Sequence, residues 1–145
     1  MQEEAMRELL ARTRAIAVLG IKADPAEDAH RVAAYLKRAG YRILPVNPKL
    51  ERVLDEPCAP TLAALASAPD LIDVFRAPRH LPGHVDEILA LPTPPRAVWF
   101  QLGIRDDVSA ARLAAAGIAV IQDRCLMVDH ARLLGVPGRT GAELP

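Results

Sequence analysis

The stretch "AIAVLGI", Ala15 to Ile21, decides how the rest of the chain must fold. It is a short, continuously apolar run ending at Gly20, with no polar residue to mark a solvent face. Such a run is the pattern of a central strand buried on both sides, as in parallel sheets. A parallel neighbour requires a crossover, and the next residues supply one. After the loop "KADPAED", the segment "AHRVAAYLKRAG" places Val32, Ala33, Leu36 and Ala39 on one helical face and closes with Gly40, a C-terminal stop. Asp28 is the expected N-cap. "YRILPVN" is then the second strand, and Pro45, which cannot donate to a ladder, argues for an edge position or a bulge.

The same alternation runs outward in both directions. Residues 2 to 13 form an opening amphipathic helix. "ERVLDEPCAP" reads as a loop with a short extended piece, and "TLAALASA" as a short helix capped by Thr61. "DLIDVF" (Asp70 to Phe75) is a third core strand, and the helix after it begins near Pro82. "RAVWFQLG" (Arg96 to Gly103) is a fourth strand, "DDVSAARLAAAG" a helix stopping at Gly117, "IAVIQD" (Ile118 to Asp123) a fifth strand and "LMVDHARLLG" a last helix. The tail from about residue 136, rich in Gly and Pro, is expected to be mobile. Alternating strands and helices of this kind predict one Rossmann-like α/β domain: a doubly wound, mostly parallel sheet of about five strands flanked by helices.

Composition narrows the function. With 145 residues there is room for one core and no second full domain. Eighteen basic residues balance eighteen acidic ones, so no overall field gathers nucleic acid or an anionic membrane. The opening "MQEEAMRELLARTR" is charged and lacks the apolar centre of a signal peptide, and no run approaches the roughly 18 apolar residues of a membrane span. A cytoplasmic protein is expected. Cys58 and Cys125 are too few for a disulfide framework and lack metal-site spacing, so both are expected to be reduced.

In a doubly wound sheet the carboxyl ends of the strands share one rim, and ligands bind where the strand order reverses. Here the rim collects Gly20-Ile21-Lys22, Asn47-Pro48-Lys49, Phe75-Arg76, Gln101-Leu102-Gly103 and Asp123-Arg124-Cys125. A dinucleotide fingerprint needs G-x-G-x-x-G after the first strand and an acid at the end of the second. The chain offers "GIKADP" and Asn47, which disfavours an ordinary NAD site, and it has no Walker loop. Phosphate can still be held by backbone N–H groups after Gly20 and at the following helix start, with Lys22 and Lys49 adding charge.

Together "IAVLGI", "VAAYLKRAGYRILPVNP", "DVFRAP", "VWFQLG" and "DRCLMVDH" resemble the stand-alone CoA-binding protein family. Its members are small relatives of the N-terminal domain of succinyl-CoA synthetase alpha and of ADP-forming acyl-CoA synthetases. The likeness runs from about Ala15 to about Leu134, with the motifs in consistent order and spacing. It implies a Rossmann-like fold and coenzyme A as the ligand. CoA carries a 3′-phosphate on its ribose, which an acid at the end of the second strand would repel and which Asn47 and Lys49 would not. Similar proteins usually carry a hydroxyl residue, an Arg and a Ser at the positions that by register are Lys22, Glu27 and Ala29 here. Two potential phosphate donors are therefore missing and one acid is added, so the resemblance implies weaker or differently placed CoA, with Lys22 standing in for the lost hydroxyl.

Each candidate also has a plainer role. Gly20 can serve only to turn the chain, and Asn47-Pro48 can merely end a strand. Arg76 and Arg79 can be solvated charges, although the rim position favours phosphate or adenine contact for Arg76. Gln101 lies within an apolar run and needs partners for its amide in any case. Cys125 can be an inert small hydrophobe, or a thiol activated by Arg124 and a helix start that meets the thiol end of CoA. Pro82 and Gly83 break the spacing between His80 and His84 that a metal pair would want, leaving a helix-start or surface role. Asp129 and His130 are sequence neighbours on a helix and cannot form a dyad.

The expected cofactor-binding set is thus Gly20, Ile21, Lys22, Asn47, Pro48, Lys49, Phe75, Arg76, Gln101 and Cys125, with no catalytic or metal-ligating residue. Synthetases similar in this domain do their chemistry with further domains that have no room in this chain. The resulting expectation is a CoA or acyl-CoA carrier, sensor or partner subunit without enzymatic activity, with a homodimer or a synthetase-like partner as the assemblies open to it. An NAD(P)- or nucleotide-binding regulator and a small acyl-transfer enzyme using Cys125 are the alternatives.

Overall fold

The computed structural model describes residues 1–135; the tail from about 136 lies outside them. In chain order the elements are α1 (Glu3–Arg12), β1 (Ala15–Leu19), α2 (Asp28–Arg38), β2 (Arg42–Val46), β3 (Arg52–Val53) and β4 (Glu56–Pro57). There follow β5 (Leu71–Val74), α3 (Leu81–Leu89), β6 (Ala97–Phe100), α4 (Asp107–Ala115), β7 (Ala119–Ile121) and α5 (Leu126–Leu134). Five strands form one parallel sheet in the order β2-β1-β5-β6-β7. This is the other common doubly wound arrangement, in which the winding reverses direction between the first strand and the next core strand, here between β1 and β5.

"AIAVLGI" forms β1, and Ile16, Ala17 and Val18 are wholly buried. Its alternate side chains feed the two cores. Ile16 and Val18 pack under α1, α2 and α5, while Ala17 and Leu19 pack under α3. β2 is an edge strand, as Pro45 requires, and Ala59 extends that edge by bonding to Pro45 and Asn47. Asp70 joins the starts of two strands, its Oδ2 accepting the backbone N–H groups of Arg14 and Ala15 at 2.9 Å.

Two local expectations change and two become more specific. The N-cap of α2 is Glu27 rather than Asp28, because Asp28 already has helical geometry and pairs with Arg31. "TLAALASA" shortens to one 3-10 turn over Leu62–Ala64, and Thr61 makes no side-chain cap bond there. The extended piece in "ERVLDEPCAP" is the β3–β4 hairpin, whose two turn residues Leu54 and Asp55 have φ of 52° and 60°. That pair of positive φ values is the type I′ pattern, held here without glycine. Finally, α3 begins at Leu81 and runs through Pro82 and Gly83, so His84 lies inside the helix. Proline costs nothing in a first helical turn, where its missing N–H has no partner to lose.

Asp73 is the anomaly of the core. It sits on β5 between Val18 and Trp99, is wholly buried, and neither carboxyl oxygen has a hydrogen-bond partner. Burial without compensation raises its pKa well above the usual carboxylate value. A raised native pKa favours folding fully below the unfolded-state value and loses that contribution as pH climbs toward the native one. Asp73→Val is therefore expected to raise the melting temperature at pH 7 by about 5 °C, with the advantage shrinking as the pH falls toward 4. Thermal denaturation across that range checks both the sign and the pH trend.

Candidate binding cleft at the carboxyl rim

At the end of β1 the chain turns through Gly20 with φ of 88°. The Gly20 N–H donates to Val46 O at 3.0 Å, and the Phe75 N–H donates to Leu19 O at 2.9 Å, so the ladder on both sides runs right up to the turn. A Cβ on Gly20 would lie 2.5 Å from Phe75 O and 3.0 Å from Arg76 Cδ. Glycine is thus required twice, by its backbone angle and by the approach of β5 at the point where the winding reverses. The Arg76 stem crosses directly over this position.

Beside Gly20 opens a cleft of about 300 Å³ on the α3 side of the sheet. Gly20, Lys22, Asn47, Pro48, Lys49 and Arg76 line it, together with Thr61, His84 and Glu87. Six of the ten residues expected from sequence are therefore brought together. Lys22, Lys49 and Arg76 have no acidic partner among the described residues, whereas most of the helix arginines are paired with acids. Free cations around a glycine turn make an anion-binding surface.

Asn47 is occupied with the rim itself. Its Nδ2 donates to Ile21 O at 2.7 Å, and its Oδ1 accepts the Lys49 N–H at 2.8 Å. The second bond is an Asx turn, and the first ties the loop after β2 to the loop after β1. A carboxylate here could not donate to Ile21 O. The amide at the end of this strand thus has a structural reason, and Lys49 is the group it leaves facing the cleft. Cys58, beneath, bonds weakly through Sγ to Asn47 O at 3.6 Å, and burial pushes its thiol pKa up.

The remaining four expected residues lie outside the lining. Ile21 is wholly buried, and Phe75 packs half-buried against the core. Gln101 is buried, and its Oε1 accepts the Leu126 N–H at 3.1 Å, satisfying the start of α5. Cys125 is the N-cap residue of α5 and packs partly buried against the core. Arg124 does not turn toward it. Its Nε and Nη2 clamp Asp129 at 2.6 and 2.7 Å, with Arg132 a third partner at 3.0 Å. Burial alone would raise the Asp129 carboxyl, but these arginines hold it below its usual value. The neighbouring His130 instead meets Tyr35 Oη at 2.9 Å, and burial lowers its pKa. Glu27 and Ala29, positions at which the resemblance implies phosphate donors, do not line the cleft.

Sequence reading missed His84 and Glu87. Arg76 Nε donates to His84 Nε2 at 3.2 Å, and His84 Nδ1 pairs with Glu87 Oε1 at 2.7 Å. The available signal was the H-x-x-E spacing on the helix following a core strand, which places both side chains one above the other on one face. It was passed over because His84 was weighed only against His80, as half of a metal pair, and not against Glu87 three residues on.

A parallel sheet between two layers of helices, with a cationic cleft at its switch point, is the arrangement in which α/β domains bind ligands. The chain belongs to the CoA-binding domain family, whose description matches residues 14–131. It is 33% identical over 126 residues to the uncharacterized protein YneT of Bacillus subtilis strain 168, covering 87% of this chain and 92% of that one. It is also similar to a solved Thermus thermophilus structure, cell-free ID.343. There the identity is 43% and the TM-score 0.88, over 92% of this chain and all of the other. A more distant likeness, at 16% identity and TM-score 0.66, is to the dinucleotide-forming acetyl-coenzyme A synthetase 1 of Ca. Korarchaeum cryptofilum. It covers 79% of this chain and 27% of that one, and shows the shared fold alone.

Gly20→Ala is expected to destabilise the protein by about 2 kcal/mol or more, since a Cβ would force β1 and β5 apart. Gly83→Ala, where a Cβ meets nothing within 4 Å, serves as the control in chemical denaturation.

Proposed function

We propose that this chain binds coenzyme A or an acyl-CoA in the cleft beside Gly20, as a cytoplasmic carrier, sensor or partner subunit without chemistry of its own. The observation that carries this reading is the set of three unpaired cations, Lys22, Lys49 and Arg76, around a glycine turn at the switch point. Membership of the CoA-binding domain family supports CoA as the anion-bearing ligand. Lys49, in the loop after β2, is the cation this reading gives to the ribose 3′-phosphate. Lys22 and Arg76, flanking Gly20, suit the diphosphate. An amide in place of the ribose-binding acid, with Lys49 two residues on, favours CoA over NAD, and the position of Cys125 outside the cleft lining weighs against the acyl-transfer alternative.

Isothermal calorimetry against CoA, acetyl-CoA, dephospho-CoA and NAD tests this directly. CoA is expected to bind more tightly than dephospho-CoA, and Lys49→Ala to weaken CoA by about 5- to 10-fold while leaving dephospho-CoA nearly unchanged. Lys22→Ala is expected to weaken both. Heat with NAD and silence with CoA would overturn the proposal. An affinity for CoA unaffected by either lysine would place the ligand elsewhere.

A further inference from the structure

Arg76 has the one fork-shaped cation in the cleft, and it is not left to find its own position. An arginine Nε–H can only donate, so at 3.2 Å His84 Nε2 must be the acceptor. The imidazole proton then sits on Nδ1, where it donates to Glu87 Oε1 at 2.7 Å. His84 and Glu87 are both partly buried, with side-chain exposures of 18% and 32%. The result is a directional chain, carboxylate to imidazole to guanidinium, running from α3 to the residue that lies over Gly20. Because the histidine holds Nε, the two terminal nitrogens of Arg76 are left uncommitted and have no other partner among the described residues.

We propose that His84 and Glu87 are positioning residues that hold Arg76 by its Nε across the switch point, so that its terminal N–H groups receive the diphosphate of the ligand. This rests on the reading of the cleft as a CoA site. The 3′-phosphate is left to Lys49. Glu87 fixes the tautomer of His84 and makes Nε2 a better acceptor, much as outer carboxylates orient histidines elsewhere. Holding a long side chain in its binding conformation removes part of the ordering cost that binding otherwise carries.

The test is a double-mutant cycle read by calorimetry with CoA and dephospho-CoA. Arg76→Ala is expected to weaken both ligands by the same factor, since both carry the diphosphate. His84→Ala is expected to weaken both about 5- to 10-fold, the scale of one hydrogen bond, and to have no further effect once Arg76 is Ala. His84→Gln, whose amide oxygen can accept from Arg76 Nε, is expected to recover most of the loss. Unchanged affinity in His84→Ala, or an undiminished loss in the Arg76→Ala background, overturns the proposal. So does an Arg76→Ala penalty confined to CoA, which would assign Arg76 to the 3′-phosphate. Should wild type bind neither CoA compound, the proposed function falls instead. The relay is then decided by the NMR signal of the Arg76 Nε–H. A signal that His84→Ala displaces and inorganic pyrophosphate perturbs supports it, and one indifferent to either rejects it.

Discussion

The structure depends on a close approach: the carbonyl of Phe75 against the backbone of Gly20, at a distance that leaves no room for a Cβ. Two constraints meet there. The strands β1 and β5 must pair in register right to their ends, and the chain must leave β1 with a positive φ to begin its crossover. Only glycine meets both at low cost. The consequence reaches the rim, because the residue after Phe75 is carried over the turn rather than out into solvent. Arg76 occupies the cleft because β5 can come this near.

Net charge hides how unevenly the charges are used. The chain balances eighteen cations against eighteen anions, yet the pairing is done on the outer faces of the helices and around Asp129. The exposed pairs among these add little stability. Their effect is on the field: they neutralise much of the helix surface, while Lys22, Lys49 and Arg76, none in a salt bridge among the described residues, share the cleft with the single acid Glu87. A composition that excludes bulk attraction to nucleic acid is therefore compatible with a strong local preference for a small polyanion.

The sheet was legible because its strands are continuous apolar runs bounded by glycines and polar turns, and because Pro45 can stand only on an edge. The cleft was legible in outline for the same reason, since strand ends share a rim whatever the loops do. What stayed hidden depended on side-chain direction. Gln101 and Asn47 have the same amide, but one points down onto α5 and the other bridges two loops. Arg76 and Arg124 both follow core strands, yet Arg124 finds Asp129 five residues on while Arg76 finds only a histidine. His84 was placed near a helix start, but its partners were not legible, because which way its ring turns depends on Arg76 arriving from β5. Asp73 was passed over because a single acid hardly interrupts an apolar run, although it leaves two orphaned oxygens in the core on the face opposite the cleft.

The start of α2 shows why the cations are needed. In many nucleotide-binding folds the helix after the first strand offers its free N–H groups and dipole to phosphate. Here the N-cap is Glu27 and the next residue is Asp28, which pairs with Arg31, so the helix start carries acids in its first turn and no side-chain phosphate donor. Acids at that position stabilise the helix, which is a sufficient reason for their presence, but they also oppose a second anion. On the proposed function the binding energy must then come from side-chain charges across the turn, on the α3 side, rather than from fixed backbone dipoles. Flexible cations lose more freedom on binding than backbone groups do and are more readily screened by salt. A side chain held at its Nε, as Arg76 is, loses less of that freedom. The sequence departures on α2 and the Arg76–His84–Glu87 chain on α3 thus form two halves of one compensation. On the proposed function, the helix that usually holds the anion meets it with acids rather than donors, and the opposite helix stiffens the arginine that takes its place.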